Sequence, residues 1–193
     1  MTDRREFLTT ALAAGAGGGL IAPESIAAET RESSGVQEQE WYQDGASPWP
    51  ICLDTATIRP ASLREKVRIA DEAGFDAIEP WTQELAEYEE QGGDLEELGN
   101  EIRDRGLFVP SVIGLWGAIP TDEDDFDEAL SENRPRMRRA AEIGAEHVQT
   151  IPAQEGEMDP DWAAEAYARI LEVGLEEYGI NPALVFVEMF TIK

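Results

Sequence analysis

The sequence predicts an α/β fold built from parallel strands, and three observations indicate it. Short apolar runs alternate with helix-like segments along residues 49–193. The last apolar run, residues 183–189, is almost continuous, as expected for a strand buried on both faces of a parallel sheet. A glycine, which commonly follows the end of a helix, comes directly after each predicted helix, at Gly74, Gly106, Gly144 and Gly179.

The first half of the pattern contains two strands and one helix. Residues 50–54 form an apolar run that ends in Asp54, and residues 75–81 form a second run that ends in Glu79, Pro80 and Trp81. Between them, a helix is predicted at residues 62–73, with Ser62 as its N-cap. Its apolar stripe consists of Leu63, Val67 and Ala70.

The second half continues in the same order, with apolar runs taken as strands and glycine-terminated polar segments taken as helices. Helices are predicted at residues 94–105, 136–143 and 161–178. Strands are predicted at residues 107–113, 146–151 and 183–189. Together with the first half, this gives five strands and four helices in strict alternation, which is typical of parallel sheets with helical crossovers.

Two parallel architectures fit this alternation, namely a doubly wound open sheet and a (β/α)8 TIM barrel. A barrel of about 250 residues uses roughly 31 residues per βα unit, and the spacing of these strands agrees with that length. The turn after the first strand, residues 55–60, lacks the Gly-x-Gly-x-x-Gly pattern of a dinucleotide-binding fold. We therefore predict a (β/α)8 barrel that is truncated after about five strands.

The composition is strongly acidic. The chain has 41 Asp and Glu against 15 Lys and Arg, a formal net charge of -26, and its only lysines are Lys66 and Lys193. Nucleic acid and anionic lipid are poor partners for such a surface, because binding them depends on cations that neutralise phosphates. Cys52 is the only cysteine, so no disulfide forms within the chain.

The first residues are typical of an export signal. Arg4 and Arg5 precede Phe7 and Leu8, and an apolar stretch rich in alanine and glycine follows. This segment resembles a twin-arginine signal peptide, which implies the twin-arginine export machinery as a partner and a periplasmic, extracellular or cell-surface location. The predicted domains are therefore a signal peptide at residues 1–27, a flexible acidic and polar linker at 28–48, and the N-terminal part of the barrel at 49–193.

Three phrases of the sequence carry a family resemblance. They are Arg-Ile-Ala-Asp-Glu-Ala-Gly-Phe-Asp-Ala-Ile-Glu at 68–79, Arg-Ala-Ala-Glu-Ile-Gly-Ala at 139–145 and Val-Phe-Val-Glu at 185–188. With them, residues 49–193 resemble the xylose isomerase-like barrels, the sugar phosphate isomerase/epimerase family. The resemblance implies a metal-dependent isomerase or epimerase that moves a proton next to the carbonyl of a sugar or sugar phosphate.

The resemblance also implies a divalent metal site. Family members hold Mg, Mn, Co or Zn with a glutamate after the fifth strand and with an aspartate, a histidine and a second glutamate from later strands. Of these ligands only the first maps onto this sequence, at Glu188, which is expected to act as both metal ligand and catalytic acid/base. Without the later ligands, we expect this chain by itself to be catalytically incompetent.

Other polar and aromatic residues at strand ends are candidates for substrate binding. Glu79, Trp81 and Trp116 follow predicted strands, and indole rings can stack on the apolar faces of a sugar. Each of the three has an ordinary structural alternative as a rim or loop anchor. His147 begins a strand, at the end opposite to the active site of a barrel, so it is expected to be structural. The acidic segment 122–128 lacks the glycine of a calcium loop and is expected to be a solvated helix start.

Two other function classes remain from the sequence. An exported, non-catalytic barrel domain that binds a sugar or a protein is the main alternative to the enzyme. A DNA-repair endonuclease, which the same family includes, is disfavoured by the acidic charge.

The charge pattern generates a first prediction. Because added salt screens the repulsion among surplus carboxylates, the thermal unfolding midpoint should rise as KCl is increased from about 0.1 to about 2 M. Circular dichroism melts at constant pH measure this directly. Such a rise would support the hypothesis that this acidic, lysine-poor surface is adapted to high salt, and a midpoint that stays constant or falls with salt would exclude it.

Overall fold

Five parallel strands lie side by side in the order in which they occur in the chain. The computed structural model describes residue 47 and residues 49–185, all within one unit that spans residues 40–193. The strands are β1 (Cys52–Asp54), β2 (Ala77–Glu79), β3 (Ser111–Trp116), β4 (His147–Ile151) and β5 (Asn181–Leu184). β1 pairs with β2, and β4 pairs with both β3 and β5.

Isolated bridges connect the two sheets. Ala77 pairs with Phe108 and Trp81 with Ile113, both in parallel, so β2 is the neighbour of β3. A doubly wound sheet reverses its strand order at a switch point, whereas this order never reverses. The order therefore confirms the predicted barrel type of winding, and the described strands form an open arc rather than a closed barrel.

Five helices connect the strands: α1 (Leu63–Glu72), α2 (Thr82–Glu90), α3 (Leu95–Asp104), α4 (Phe126–Glu142) and α5 (Pro160–Val173). The prediction of four helices was wrong, because α2 was missed and α4 begins ten residues earlier than residue 136. α2 follows a tryptophan rather than a typical N-cap residue and buries only Thr82 and Leu85. α4 contains Pro135, which normally interrupts a helix pattern. Within residues 47–185, no helix is long and apolar enough to cross a bilayer.

Two strand boundaries also differ from the prediction. The third strand was predicted at residues 107–113 and is found at Ser111–Trp116. It extends beyond Ile113 because a bulge at Gly114, with a φ of 118°, accommodates one extra residue before pairing resumes at Leu115. The fifth strand was predicted at residues 183–189 and is found at Asn181–Leu184, while residues after 185 lie outside the described part. The predicted helix 161–178 ends as a π-helical turn, Gly174–Tyr178.

The hydrophobic core lies between the strands and the helices. One side of each strand sends an apolar side chain towards the helices, including the fully buried Ile78, Val112 and Val148. The helices contribute the buried stripe of α1 and residues such as Leu98 and Met137. Because side chains alternate along a strand, the residues between these apolar positions face the other side of the sheet, which would be the interior of a barrel.

Arginines join neighbouring helices on the outer surface. Arg105, the C-cap residue of α3, pairs with Asp71 of α1 at 2.8 Å. Glu89 of α2 pairs with both Arg138 and Arg139 of α4 at 2.8 Å. Each exposed pair contributes at most about 1 kcal/mol. The predicted N-cap at Ser62 is confirmed, with a capping box to Glu65.

The contact between α3 and α4 generates a second prediction. Gly99 is buried, and a Cβ there would stand 2.5 Å from the backbone oxygen of Ile143. Although alanine normally stabilises a helix by about 1 kcal/mol relative to glycine, Gly99→Ala should lower the free energy of unfolding, because a backbone atom cannot move aside cheaply. Urea denaturation measures the change. Asn100→Ala, at an exposed position of the same helix, should change stability by less than about 0.5 kcal/mol; a stabilised Gly99→Ala variant would contradict the packing.

Candidate functional site

Polar side chains gather on the inner side of the strands, near their carboxyl ends. Asp54 and Glu79 are the last residues of β1 and β2 and are directly opposite each other in the strand register. Gln149, on β4, reaches across β3 and donates a hydrogen bond from its Nε2 atom to Glu79 Oε1 at 2.8 Å. Three strands therefore contribute to one polar cluster, at the end of the sheet where barrel enzymes carry out their chemistry.

The environment of Glu79 raises the pKa of its carboxyl group. Burial is the main cause, since it disfavours the charged form, and the nearby charge of Asp54 adds to the rise. The Ser111 hydroxyl and the Gln149 amide oppose it. The Ser111 oxygen lies close to Glu79 but is buried without a partner in hydrogen-bond geometry among the described residues. A glutamate with a raised pKa keeps its proton to a higher pH than an ordinary glutamate does, and such shifts are common among groups that exchange protons in active sites.

Two indole rings lie next to this cluster. The ring centroids of Trp81 and Trp116 are 5.7 Å apart and the rings are tilted by 31°. Trp81 donates from its Nε1 atom to Asp54 Oδ1 at 2.9 Å. The Trp116 indole lies against the bulge, since a Cβ at Gly114 would stand 2.2 Å from its Nε1 atom. The two rings together form an aromatic wall beside the carboxylates.

The structure thus places the three predicted substrate residues, Glu79, Trp81 and Trp116, in one region. Asp54 connects them, because it lies opposite Glu79 and accepts the Trp81 indole hydrogen bond. Asp54 and Gln149 are not among the site residues predicted from the sequence. Asp54 ends its strand just as Glu79 does, which is a signal that was available, whereas Gln149 stands inside its strand and carries no such signal.

The remaining predicted residues are elsewhere. Glu188 and the signal residues Arg4, Arg5, Phe7 and Leu8 lie outside the described residues. His147 begins β4, at the opposite end from the cluster, and its Nδ1 atom is 3.2 Å from the Pro110 carbonyl oxygen, a structural contact. The acidic segment 122–128 is a short 3-10 turn followed by the first residues of α4.

Metal-ligating side chains do not cluster within the described residues. No group of three or more His, Cys, Asp or Glu side chains comes together between residues 47 and 185. Asp54 Oδ1 already accepts from Trp81 and from the Ala56 backbone at 2.8 Å. The pKa of the Cys52 thiol is raised to about 12 by partial burial of the sulfur and by the charges of Glu79 and Asp54, which favours the thiol over the thiolate.

Two clefts lie outside this cluster. They have volumes of about 340 and 410 Å³, and the lining of both includes Arg59 and residues of α2. Trp81, beside the cluster, lines the larger of the two. The described strands form an open arc, so they do not enclose the cluster on all sides.

Strand order, parallel pairing and polar strand ends together define the chain as part of a TIM-barrel protein. A sequence model described as xylose isomerase-like TIM barrel matches residues 67–184, more than half of the chain. The chain belongs to this family, and the resemblance seen in the sequence is confirmed. No curated protein sequence matched the chain.

Solved structures show the same fold. The IOLI protein with a bound zinc atom superimposes with a TM-score of 0.60 at 22% identity, covering 72% of this chain and 52% of that one. D-psicose 3-epimerase, in the presence of D-fructose, gives 0.57 at 13% identity, covering 75% and 55%. The probable 3-DHS dehydratase AsbF from Bacillus anthracis gives 0.57 at 20% identity, covering 70% and 52%. The chain spans about half the length of these structures.

The raised pKa of Glu79 generates a third prediction. Its ordinary value is 4.5 and its folded value is higher, so the native state holds the proton more tightly than the unfolded chain does. The stability that Glu79 contributes is complete below its unfolded pKa and is lost as pH rises through its folded pKa. Glu79→Gln should therefore gain stability relative to the parent as pH increases from about 4 to about 7.

Thermal melts of both proteins across this pH range measure the effect. Glu96→Gln, on an exposed position of α3, serves as the matched control and should follow the parent at every pH. A Glu79→Gln midpoint that keeps a constant offset from the parent at every pH, or that falls relative to the parent as pH rises, would show that burial does not raise the pKa of this carboxyl group.

Proposed function

We propose that the protein is a metal-dependent sugar isomerase or epimerase that transfers a proton at the carbon next to a carbonyl. The observation that carries the proposal is Glu79, a half-buried carboxyl group at a strand end, held by Gln149 and next to an aromatic wall. Family membership supports the same class of chemistry, and the structural neighbours include enzymes described as epimerases.

In this proposal the described residues bind and orient the sugar. Glu79 and Gln149 place a carboxyl group and an amide within hydrogen-bond distance of each other, and both groups can bind the hydroxyl groups of a sugar. Trp81 and Trp116 present apolar ring faces against the C–H groups of the substrate. Because its raised pKa favours the protonated form, Glu79 is also proposed to give its proton to the substrate carbonyl oxygen as the C–H proton is removed, a transfer that glutamine cannot make.

Glu188 is the proposed metal ligand and catalytic base. We propose that it binds a divalent Mg, Mn, Co or Zn ion and removes the proton between carbonyl and hydroxyl, on the basis of the family resemblance at residues 185–188. The ion, when bound, polarises the carbonyl and so makes the neighbouring C–H bond more acidic. Since the family's other ligands do not map onto this sequence, we propose that the 193-residue chain has no activity by itself.

Export is also proposed. The Arg4-Arg5 pair and the following apolar stretch support recognition by the twin-arginine machinery and a location beyond the cytoplasmic membrane. Within that location the substrate is proposed to be a sugar rather than a nucleic acid, because the charge of -26 opposes phosphate backbones.

A non-catalytic sugar-binding domain is the second candidate. The polar cluster and the aromatic wall favour it, because carboxylate, amide and indole groups bind a sugar without any metal. The two functions differ in whether the bound sugar exchanges a carbon-bound proton.

Deuterium exchange provides the fourth prediction. The 193-residue chain and the product of the coding sequence read beyond Lys193 are incubated with ketohexoses in D2O, with and without Mn²⁺. Proton NMR should show loss of the C–H signal next to the carbonyl with the longer product only, and EDTA should abolish it. Glu79→Gln should slow exchange at least about tenfold, as expected for loss of a proton-transfer group, and Glu188→Gln should abolish it.

Matched controls separate the outcomes. Glu96→Gln, which lies on the exposed side of α3, should exchange at the parent rate. Sugar binding without exchange, unaffected by EDTA, would favour the non-catalytic domain. Neither binding nor exchange by the longer product would overturn both functions.

A further inference from the structure

One carboxylate, Glu84, contacts three different elements beneath the aromatic wall. It lies in the first turn of α2 and accepts a hydrogen bond from the Trp81 backbone N–H at 2.9 Å. It also accepts from the Thr55 hydroxyl at 2.5 Å and from the ammonium group of Lys66. The end of β1, the end of β2 and helix α1 are thereby joined at one side chain.

Lys66 holds this carboxylate from inside the core. It is only 2% exposed and lies among the buried residues of α1. Among the described residues, Glu84 is the one recorded ion-pair partner of Lys66. A buried ammonium group requires such a partner, because its charge is costly to remove from water. The ion pair therefore neutralises the charge of Lys66 and also holds the Glu84 carboxylate in place.

The contacts of Glu84 form a closed circuit around Trp81. Glu84 binds the Trp81 backbone and the Thr55 hydroxyl, and Asp54, the residue before Thr55, binds the Trp81 indole at 2.9 Å. The next residue, Thr82, donates from its hydroxyl to the Gly114 carbonyl at 3.0 Å, on the bulge beneath Trp116. Both ends of Trp81, its backbone and its indole N–H, are thus fixed relative to β1 and β3.

We infer that Glu84, held by Lys66, is a positioning residue that sets the orientation of the Trp81 indole in the candidate site. Among the described residues, its side chain makes no hydrogen bond to Glu79 or Gln149, although the Thr55 hydroxyl that it binds also lies 3.3 Å from the Glu79 backbone carbonyl oxygen. Its direct contact with the aromatic wall is with Trp81, so it acts by holding that residue rather than on the substrate. The inference concerns the protein itself, and only its final readout, on sugar kinetics, rests on the proposed function.

Hydrogen exchange of the indole proton tests this orientation and is the fifth prediction. In tryptophan-labelled protein, the Nε1–H signal of Trp81 is assigned with Trp81→Phe. In Glu84→Gln, the Trp81 indole proton should exchange at least about tenfold faster than in the parent, since local opening is no longer resisted. The Trp162 indole, which donates to the Pro120 carbonyl at 2.8 Å away from this circuit, should keep its parent rate.

Two further variants keep the test decisive. Lys66→Met combined with Glu84→Met removes both charges at similar volume, so it leaves no unpaired charge in the core even if Glu84→Gln fails to fold. It should also speed Trp81 exchange. Glu89→Gln is the matched control, because it makes the same change on the same helix and breaks ion pairs with Arg138 and Arg139 without contact to Trp81. It should leave Trp81 exchange within about twofold of the parent.

The inference is overturned if the double variant leaves Trp81 at the parent rate, or if Trp81 and Trp162 speed up equally, which would show a general loss of stability. Sugar kinetics add a second readout on the longer product. A misplaced Trp81 should raise KM about tenfold and change kcat less than about threefold, whereas Glu79→Gln should lower kcat. If the parent shows no turnover, the proposed function fails while the exchange experiment still decides the role of Glu84.

Discussion

The alternation of side chains along the parallel strands is the constraint on which the rest of this structure depends. Ile78 and Glu79 are adjacent, yet one is fully buried against the helices and the other reaches the inner side of the sheet. The same alternation separates Val148 from Gln149. Because each strand must bury an apolar residue under a helix, its neighbours are directed to the opposite side, where polar groups from three strands meet. The hydrophobic core and the candidate site therefore lie on opposite faces of the same strands.

The ion pair between the buried Lys66 and the partly exposed Glu84 places a charge at the edge of the core. Removing one partner of a fully buried pair generally costs about 3–5 kcal/mol, although a well-packed apolar pair would often be equally stable. Its retention is therefore better explained by geometry than by stability. It joins two strand ends and a helix at the place where the aromatic wall begins, whereas an apolar pair would supply no directional contacts to Thr55 or Trp81.

The sequence was sufficient for the fold type but not for the whole site. Glycines after helices and apolar strands revealed the βα repeat, and the end positions of Glu79, Trp81 and Trp116 marked them as candidates. α2 was missed because its sequence is mostly polar and buries only two residues. Its stability therefore depends on packing against neighbouring helices rather than on an apolar stripe of its own. Gln149 was missed because its contact with Glu79 joins positions 70 residues apart, which no local pattern encodes.

The bulge at Gly114 has a consequence for how β3 can vary. It inserts one residue between Ile113 and Leu115, so the parity of the strand changes there, and Leu115 is fully buried while Trp116 meets Trp81. Without that residue, Leu115 would still lie opposite Thr150 and Trp116 opposite Ile151 in a regular ladder, so each side chain would keep its face of the sheet. What Gly114 supplies is therefore the local bend, together with space for the indole, since a Cβ there would stand 2.2 Å from the Nε1 atom of Trp116. Any larger side chain at position 114 would have to displace the ring that completes the wall.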